Sequence, residues 1–231
     1  MIEVGKLYEE AWYPTLIFFK DLPNSKELNK KLLKDIYKWK KEDEGIVRSN
    51  TTGWHSAVNM HEKKEFMPLV TELFKMQKEI YQRLNYSDDT TPMMDNMWAN
   101  VNYKYAYNKN HTHPGAQWSG VYYIKSPEKS GNIWFTDPRP QTSMEMTAYQ
   151  HDKQRPASQL REVYYEPIEG RLIMFPGWLL HEVQMNQSDL KGKDGHRVSV
   201  SFNFKQAMDK TKVQRNKKGH TANAKTFDDY E

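Results

Sequence analysis

His111 and His113 stand one residue apart. In extended backbone, side chains alternate with period two, so the two imidazoles share a face. Same-face imidazoles repel when protonated and gain most when both bind a cation. A third histidine, His181, closes the apolar run Phe175-Pro-Gly-Trp-Leu-Leu-His181, and Arg197 opens the run Arg197-Val-Ser-Val-Ser-Phe-Asn-Phe204. Three histidines at strand ends, with an arginine opening a further strand, form the skeleton of a metal site in a β-barrel. The chain has no cysteine, so a metal must sit on His, Asp or Glu. That donor set points to iron, manganese or zinc rather than an iron–sulfur cluster. His55, His61, His151, His196 and His220 lack such company and read as hydrogen-bonded core or surface residues.

Arg197 carries two readings. At a strand start it is ordinarily a surface ion-pair residue. Inside a dry barrel, its planar fork holds a carboxylate through two parallel hydrogen bonds. Ser199 falls on the same face two residues on, and Tyr123, in the strand Trp118–Ile124, supplies a further hydroxyl.

The elements that must position these residues follow in order. Tyr13–Phe19 reads as a short strand. Asn24, with Glu27 three residues on, has the form of a helix N-cap and its reciprocal partner. Leu28, Leu32, Ile36 and Trp39 recur at helical spacing, which predicts a helix over about 25–42. Phe66, Leu69, Val70, Leu73, Phe74, Ile80, Tyr81 and Leu84 make one apolar stripe of a second helix, with Pro68 tolerable in its first turn. Both helices read as scaffold packed on a sheet. From Met97 the period becomes two, and Ala99, Val101, Tyr103, Tyr105 and Tyr107 alternate with Trp98, Asn100, Asn102, Lys104 and Ala106 in one predicted strand. Shorter strands are expected at Trp118–Ile124, 132–135, 162–166, 171–175 and 197–204. The polar stretches 43–60 and 139–161 are candidate rims, the second long enough to be a lid or binding loop. Gly53-Trp-His-Ser56 has no pattern that assigns it to an element.

The 231 residues show no mid-chain linker, so one domain over 1–205 is expected, with helical support at about 20–90 and a β core at about 97–204. Residues 206–231 are Lys-rich and polar and read as a flexible tail. Seven Trp and fourteen Tyr suit a β-rich core in which rings are buried and polar tips stay bonded. No run approaches a membrane span and no signal-peptide pattern opens the chain, so a soluble cytoplasmic protein is expected. The net charge of +4 is too small and dispersed to indicate nucleic acid.

Taken together, His111-x-His113, Trp118-Ser-Gly-Val-Tyr-Tyr-Ile124, Ser130-Gly-Asn-Ile-Trp-Phe-Thr-Asp137-Pro-Arg139, Phe175-Pro-Gly-Trp-Leu-Leu-His181 and Arg197-Val-Ser-Val-Ser-Phe-Asn203 resemble the iron(II)- and 2-oxoglutarate-dependent oxygenases. The nearest likeness is to the bacterial and phage family called "putative 2OG-Fe(II) oxygenase", more distantly to prolyl hydroxylases. The resemblance implies a double-stranded β-helix, a cupin-like jelly-roll of two facing sheets, braced here by the N-terminal helices. It implies iron(II) as cofactor and 2-oxoglutarate as co-substrate, with hydroxylation of a C–H bond and release of succinate and CO2. No catalytic residue is needed beyond the metal centre. The metal ligands map onto His111 and His181, and the co-substrate's far carboxylate onto Arg197, Ser199 and Tyr123. An apolar wall of Trp118, Trp134, Phe175 and Trp178 would keep the centre dry.

The chain departs from the family's pattern at His113, which stands where a carboxylate is usual. Two histidines and a carboxylate leave iron(II) at net +1; three imidazoles leave +2. Three arrangements follow: a three-histidine face, Asp137 as the carboxylate, or two protein ligands only. Backbone alternation favours the first. Two other functional classes use the same residues: a three-histidine cupin-type metalloenzyme without 2-oxoglutarate, and a non-catalytic jelly-roll that binds a ligand or partner. No motif for a peptide, sugar, lipid or nucleic-acid substrate is present, which leaves both a small molecule and a protein open.

Overall fold

The computed structural model describes residues 4–10 and 12–209. The chain runs β1 (Phe18–Asp21), α1 (Ser25–Trp39), β2 (Asn50–Thr51), β3 (Trp54–His55), α2 (Met67–Arg83), β4 (Thr90–Asn102), β5 (Tyr107–His111), β6 (Trp118–Lys125), β7 (Ile133–Thr136), β8 (Glu162–Tyr165), β9 (Arg171–Pro176), β10 (His181–Val183) and β11 (Arg197–Met208). Two antiparallel sheets result. The major one has the order β1-β9-β6-β11-β4-β3, the minor one β2-β5-β10-β7-β8. This is the double-stranded β-helix that the family resemblance implies, with the helices outside it.

Alternation gives the two faces of the major sheet different surroundings. Val198, Val200, Phe202 and Phe204 of β11 point outward, with Ala99 and Val101 of β4 and Tyr122 and Ile124 of β6. They pack on Leu32 and Ile36 of α1 and on Leu69, Leu73, Met76 and Ile80 of α2, all buried. The inner face meets the minor sheet: Val121, Tyr123, Ile173 and Phe175 close on Ile133, Phe135 and Leu179. Burial on both faces makes this sheet the rigid floor of the molecule. No described helix is long and apolar enough to cross a membrane.

Several boundaries differ from the sequence expectations. The stretch expected as one strand through Tyr107 is two strands in different sheets. The chain turns at Tyr103–Ala106, with Tyr105 at φ 69° and the Tyr105 N–H donating to the Asn186 carbonyl. The tyrosine alternation there is a turn that happens to keep the period. Asn24 does not cap α1: it is left-handed, φ 55° and ψ 26°, and makes no side-chain cap bond. β1 begins at Phe18, and α1 ends at Trp39. β11 continues to Met208, because it pairs with β4 out to Thr90, so 206–208 are strand. The rest of the expected tail, 210–231, and His220 within it lie outside the described residues. Trp54 and His55, which no pattern assigned, add a short edge strand to β4.

Candidate metal and co-substrate site

His111 ends β5 and His181 begins β10, and these two residues are paired directly across the minor sheet. His113 lies two residues beyond the strand, in the turn that leads to β6. Its backbone N–H donates to the Gly177 carbonyl 2.8 Å away, and its carbonyl accepts from the Ala116 N–H at 3.1 Å. Period-two placement therefore brings His113 inward, although the strand has already ended. One nitrogen from each of the three rings lies within 4.8 Å of the others.

The outer nitrogens are fixed by the backbone. His181 Nδ1 is 2.8 Å from the Leu179 carbonyl and His111 Nδ1 is 2.6 Å from that of Lys109, so both donate there and turn an Nε2 lone pair inward. Hydrogen bonds of this kind, from the ring nitrogen remote from the ion, are what orient metal-binding imidazoles. His113 Nδ1 faces Asn203 Nδ2 at 3.4 Å, and Asn203 is held by Ser119 and Asn96 at 2.7 Å each. Burial pushes His181 down to about 3, helped by the neighbouring His111 and His113. Burial, then His111, pushes His113 down to about 4, and burial lowers His111 as well. All three rings are neutral near pH 7, the form that donates a lone pair to a metal.

The same cavity extends from the histidines along the inner face of the major sheet. Strand register arranges that face in rows: Asn96, Asn203 and Ser119; then Trp98, Ser201 and Val121; then His55, Asn100, Ser199 and Tyr123; then Asn102 and Arg197. Arg197 is 1% exposed. Its Nη1 donates to the carbonyls of Ser130, Gly131 (2.9 Å) and Gln184 (3.3 Å), which fixes the guanidinium in place. No carboxylate among the described residues pairs with it, and none lines the cavity. Burial lowers Arg197 to about 10 and raises the Tyr123 phenol to about 12, leaving the first charged and the second a donor. Neither the Tyr123 nor the Ser199 hydroxyl is hydrogen-bonded within the described residues. A buried guanidinium with two free hydroxyls and no counter-charge is suited to a carboxylate-bearing ligand.

Other expected site features fall elsewhere. Asp137 is outside the cavity: Arg139 grips its carboxylate in two parallel bonds of 3.0 and 2.9 Å, so it is not poised toward the histidines. Of the expected apolar wall, Phe175 is present, its ring 4.6 Å from that of His181. Trp118 faces the helices, one residue out of phase with Ser119 and Val121; Trp134 stacks on Tyr164; Trp178 is exposed in the β9–β10 turn. Of the two candidate rims, 43–60 contributes Arg48, Ser49, His55 and Val58, and 139–161 contributes none. Trp98, Asn96, Asn203 and His55 also line the site, although no sequence motif marks them. Their signal was the polar phase of the β4 and β11 alternations. His55, 4% exposed, lies parallel to Trp98 at 5.3 Å.

The likeness to known proteins agrees with this geometry. Residues 96–203 match the family described as "Putative 2OG-Fe(II) oxygenase". No curated protein sequence matches the chain. Among solved structures, a Pseudomonas putida prolyl-4-hydroxylase superposes with a TM-score of 0.56 at 15% identity, over 83% of this chain and 92% of that one. The α-ketoglutarate-dependent non-heme epimerase SnoN of nogalamycin biosynthesis gives 0.59 at 11%, over 89% and 86%. A Trichoplax adhaerens prolyl hydroxylase bound to a hypoxia-inducible-factor peptide gives 0.53 at 11%, over 86% of each chain. At these identities the structures speak for the fold alone, and the likeness to the family rests on the match over 96–203. Through that region the chain is similar to the 2OG-Fe(II) oxygenases, enzymes that use iron(II) and 2-oxoglutarate.

Proposed function

We propose that the protein binds iron(II) through His111, His113 and His181, and 2-oxoglutarate through Arg197, Ser199 and Tyr123, and hydroxylates a C–H bond of a further substrate with release of succinate and CO2. The observation that carries this reading is one cavity holding three convergent neutral imidazoles and, farther along the same sheet face, a buried arginine without a counter-charge. Iron(II) and 2-oxoglutarate together supply oxygen activation driven by oxidative decarboxylation. The chain's own residues bind and orient. The Leu179 and Lys109 carbonyls fix the His181 and His111 tautomers, and the three carbonyls on Arg197 hold its fork still. Val121 of β6, Phe175 of β9 and Ile133 of β7 present apolar surface that limits water in the cavity. The whole acts as a single oxygenase domain, in which α1 and α2 support the floor that carries the site.

Anaerobic titration tests the function. A weak visible charge-transfer band should grow only when iron(II) and 2-oxoglutarate are both present. A band with iron(II) alone, unchanged by 2-oxoglutarate, or tight metal binding without 2-oxoglutarate binding, favours a three-histidine metalloenzyme that does not use this co-substrate.

A further inference from the structure

Asn102 is the last residue of β4 and the register partner of Arg197. Its side chain lies on the same inner face and lines the cavity, and the residue is only 3% exposed. The side-chain amide makes no hydrogen bond within the described residues. The amide faces the cavity and not a protein partner, which leaves its N–H groups available to a ligand there. The backbone around it is held firmly. The Asn102 carbonyl accepts from Asn186 Nδ2 at 2.9 Å, and the same Asn186 amide also bonds the Gly195 carbonyl at 2.8 Å. On the neighbouring β3 side, a Cβ at Gly53 would lie 2.9 Å from the Val101 carbonyl and 3.4 Å from Asn102 Cα, so no bulkier chain fits beside it.

Asn102 and Arg197 together form the row farthest from the histidines, one row beyond Ser199 and Tyr123. A ligand that reaches from the metal side to Arg197 meets Asn102 at its far end. We infer that Asn102 closes this end of the co-substrate pocket, donating its amide N–H to the far carboxylate of 2-oxoglutarate and setting the chain length the pocket accepts. The inference rests on the proposed binding of 2-oxoglutarate and adds a residue that the family resemblance did not supply. It also makes Asn102 a determinant of selectivity, since a 2-oxo diacid with one more methylene should be refused by the wall this side chain makes.

The test uses calorimetry on the full chain loaded anaerobically with iron(II), with 2-oxoglutarate and 2-oxoadipate as probes. Wild type should favour 2-oxoglutarate over 2-oxoadipate by at least about tenfold. Asn102→Ala should weaken 2-oxoglutarate about ten- to a hundredfold, as expected for losing a hydrogen bond to a charged group. It should also reduce or reverse the preference over 2-oxoadipate, because the removed amide leaves room for the extra methylene. Asn102→Asp, of nearly the same shape, should be weaker still by charge repulsion. A purely structural role would weaken both probes equally. Equal binding of both diacids by wild type, or unchanged affinity and preference in a folded Asn102 variant, overturns the inference. The wild-type comparison decides the matter if the variants do not fold. Loss of 2-oxoglutarate binding in wild type would instead count against the proposed function itself, and Arg197→Ala in the same series separates the two failures.

Discussion

His113 Nε2 lies 3.3 Å from His181 Nε2, and the two rings are inclined by only 17°. Two ring nitrogens that close share one proton when both rings are neutral; a bound cation takes that proton's place. Because His181 Nδ1 already donates to Leu179, the lone pair on its Nε2 faces His113. The contact is therefore a proton-or-metal position, built by β10 on one side and the turn after β5 on the other.

Acidification should expose this pair. In the unfolded chain the histidines titrate near 6.5, whereas in the fold His113 is held near 4 and His181 near 3, with His111 also lowered. Between about pH 6.5 and pH 4 the unfolded chain binds more protons than the folded one, so stability falls as pH drops through that window. Thermal unfolding of the metal-free protein should show the midpoint decreasing from pH 7 to pH 4. His181→Gln should flatten the slope, and an equal slope in that variant would assign the pH dependence to other groups.

Metal affinity should depend on the three histidines and not on the aspartate. His181→Ala and His113→Ala should each weaken iron(II) by about a hundredfold or more, taking one ligand's share of the roughly 10–16 kcal/mol of a four-ligand zinc site. Both should stay folded, since the rings sit at the cavity and not in the helix-packed core. Asp137→Ala should leave iron(II) affinity unchanged, because its carboxylate belongs to Arg139. A loss in Asp137→Ala comparable to His181→Ala would make Asp137 a ligand and call for a large movement of its loop.

Arg197→Ala should weaken 2-oxoglutarate by a hundred- to several-thousandfold, from the roughly 3–5 kcal/mol that breaking a buried charge pair costs. Iron(II) affinity should be nearly intact. The variant should also unfold at lower temperature, because the carbonyls of Ser130, Gly131 and Gln184 lose their shared donor. Arg197→Lys should recover only part of the binding, as a point charge cannot replace the fork. Undiminished 2-oxoglutarate binding by folded Arg197→Ala would remove this residue from the co-substrate site.

Gly120 should resist substitution for a reason of packing alone. A Cβ there would run into the Phe202 ring and sit 2.5 Å from the Ile173 carbonyl, where β6 is enclosed by β11 and β9. Gly120→Ala should cost about 1–3 kcal/mol or more in urea unfolding. A loss under about 0.5 kcal/mol would mean that Phe202 can swing aside, which its complete burial argues against.

Much of the scaffold was legible in the sequence because it rests on local periodicity. The apolar stripe Leu69, Leu73 and Ile80 predicted α2, and the alternation Val198, Val200, Phe202 and Phe204 predicted β11, each within a few residues. The local signals failed where a turn imitates a strand, as at Tyr103–Tyr105, and where a cap motif is overridden, as at Asn24.

The sequence by itself determined which residue types were available for chemistry and on which strand phase they stood. His111 and His113 share a phase, Arg197 and Ser199 share another, and the absence of cysteine confines any metal to nitrogen and oxygen donors. Only the tertiary structure decided what each phase faces. An alternating strand usually turns its polar side to water; here the helices cover the apolar side, so Asn96, Trp98, Asn100 and Asn102 turn inward to the cavity. The same folding sends Trp118 to the helix-packed side, ties Asp137 to Arg139, and brings His55 beside Trp98 from a distant part of the chain. Those outcomes depend on which strands pair and on which face the helices settle, contacts between distant segments that no local pattern encodes.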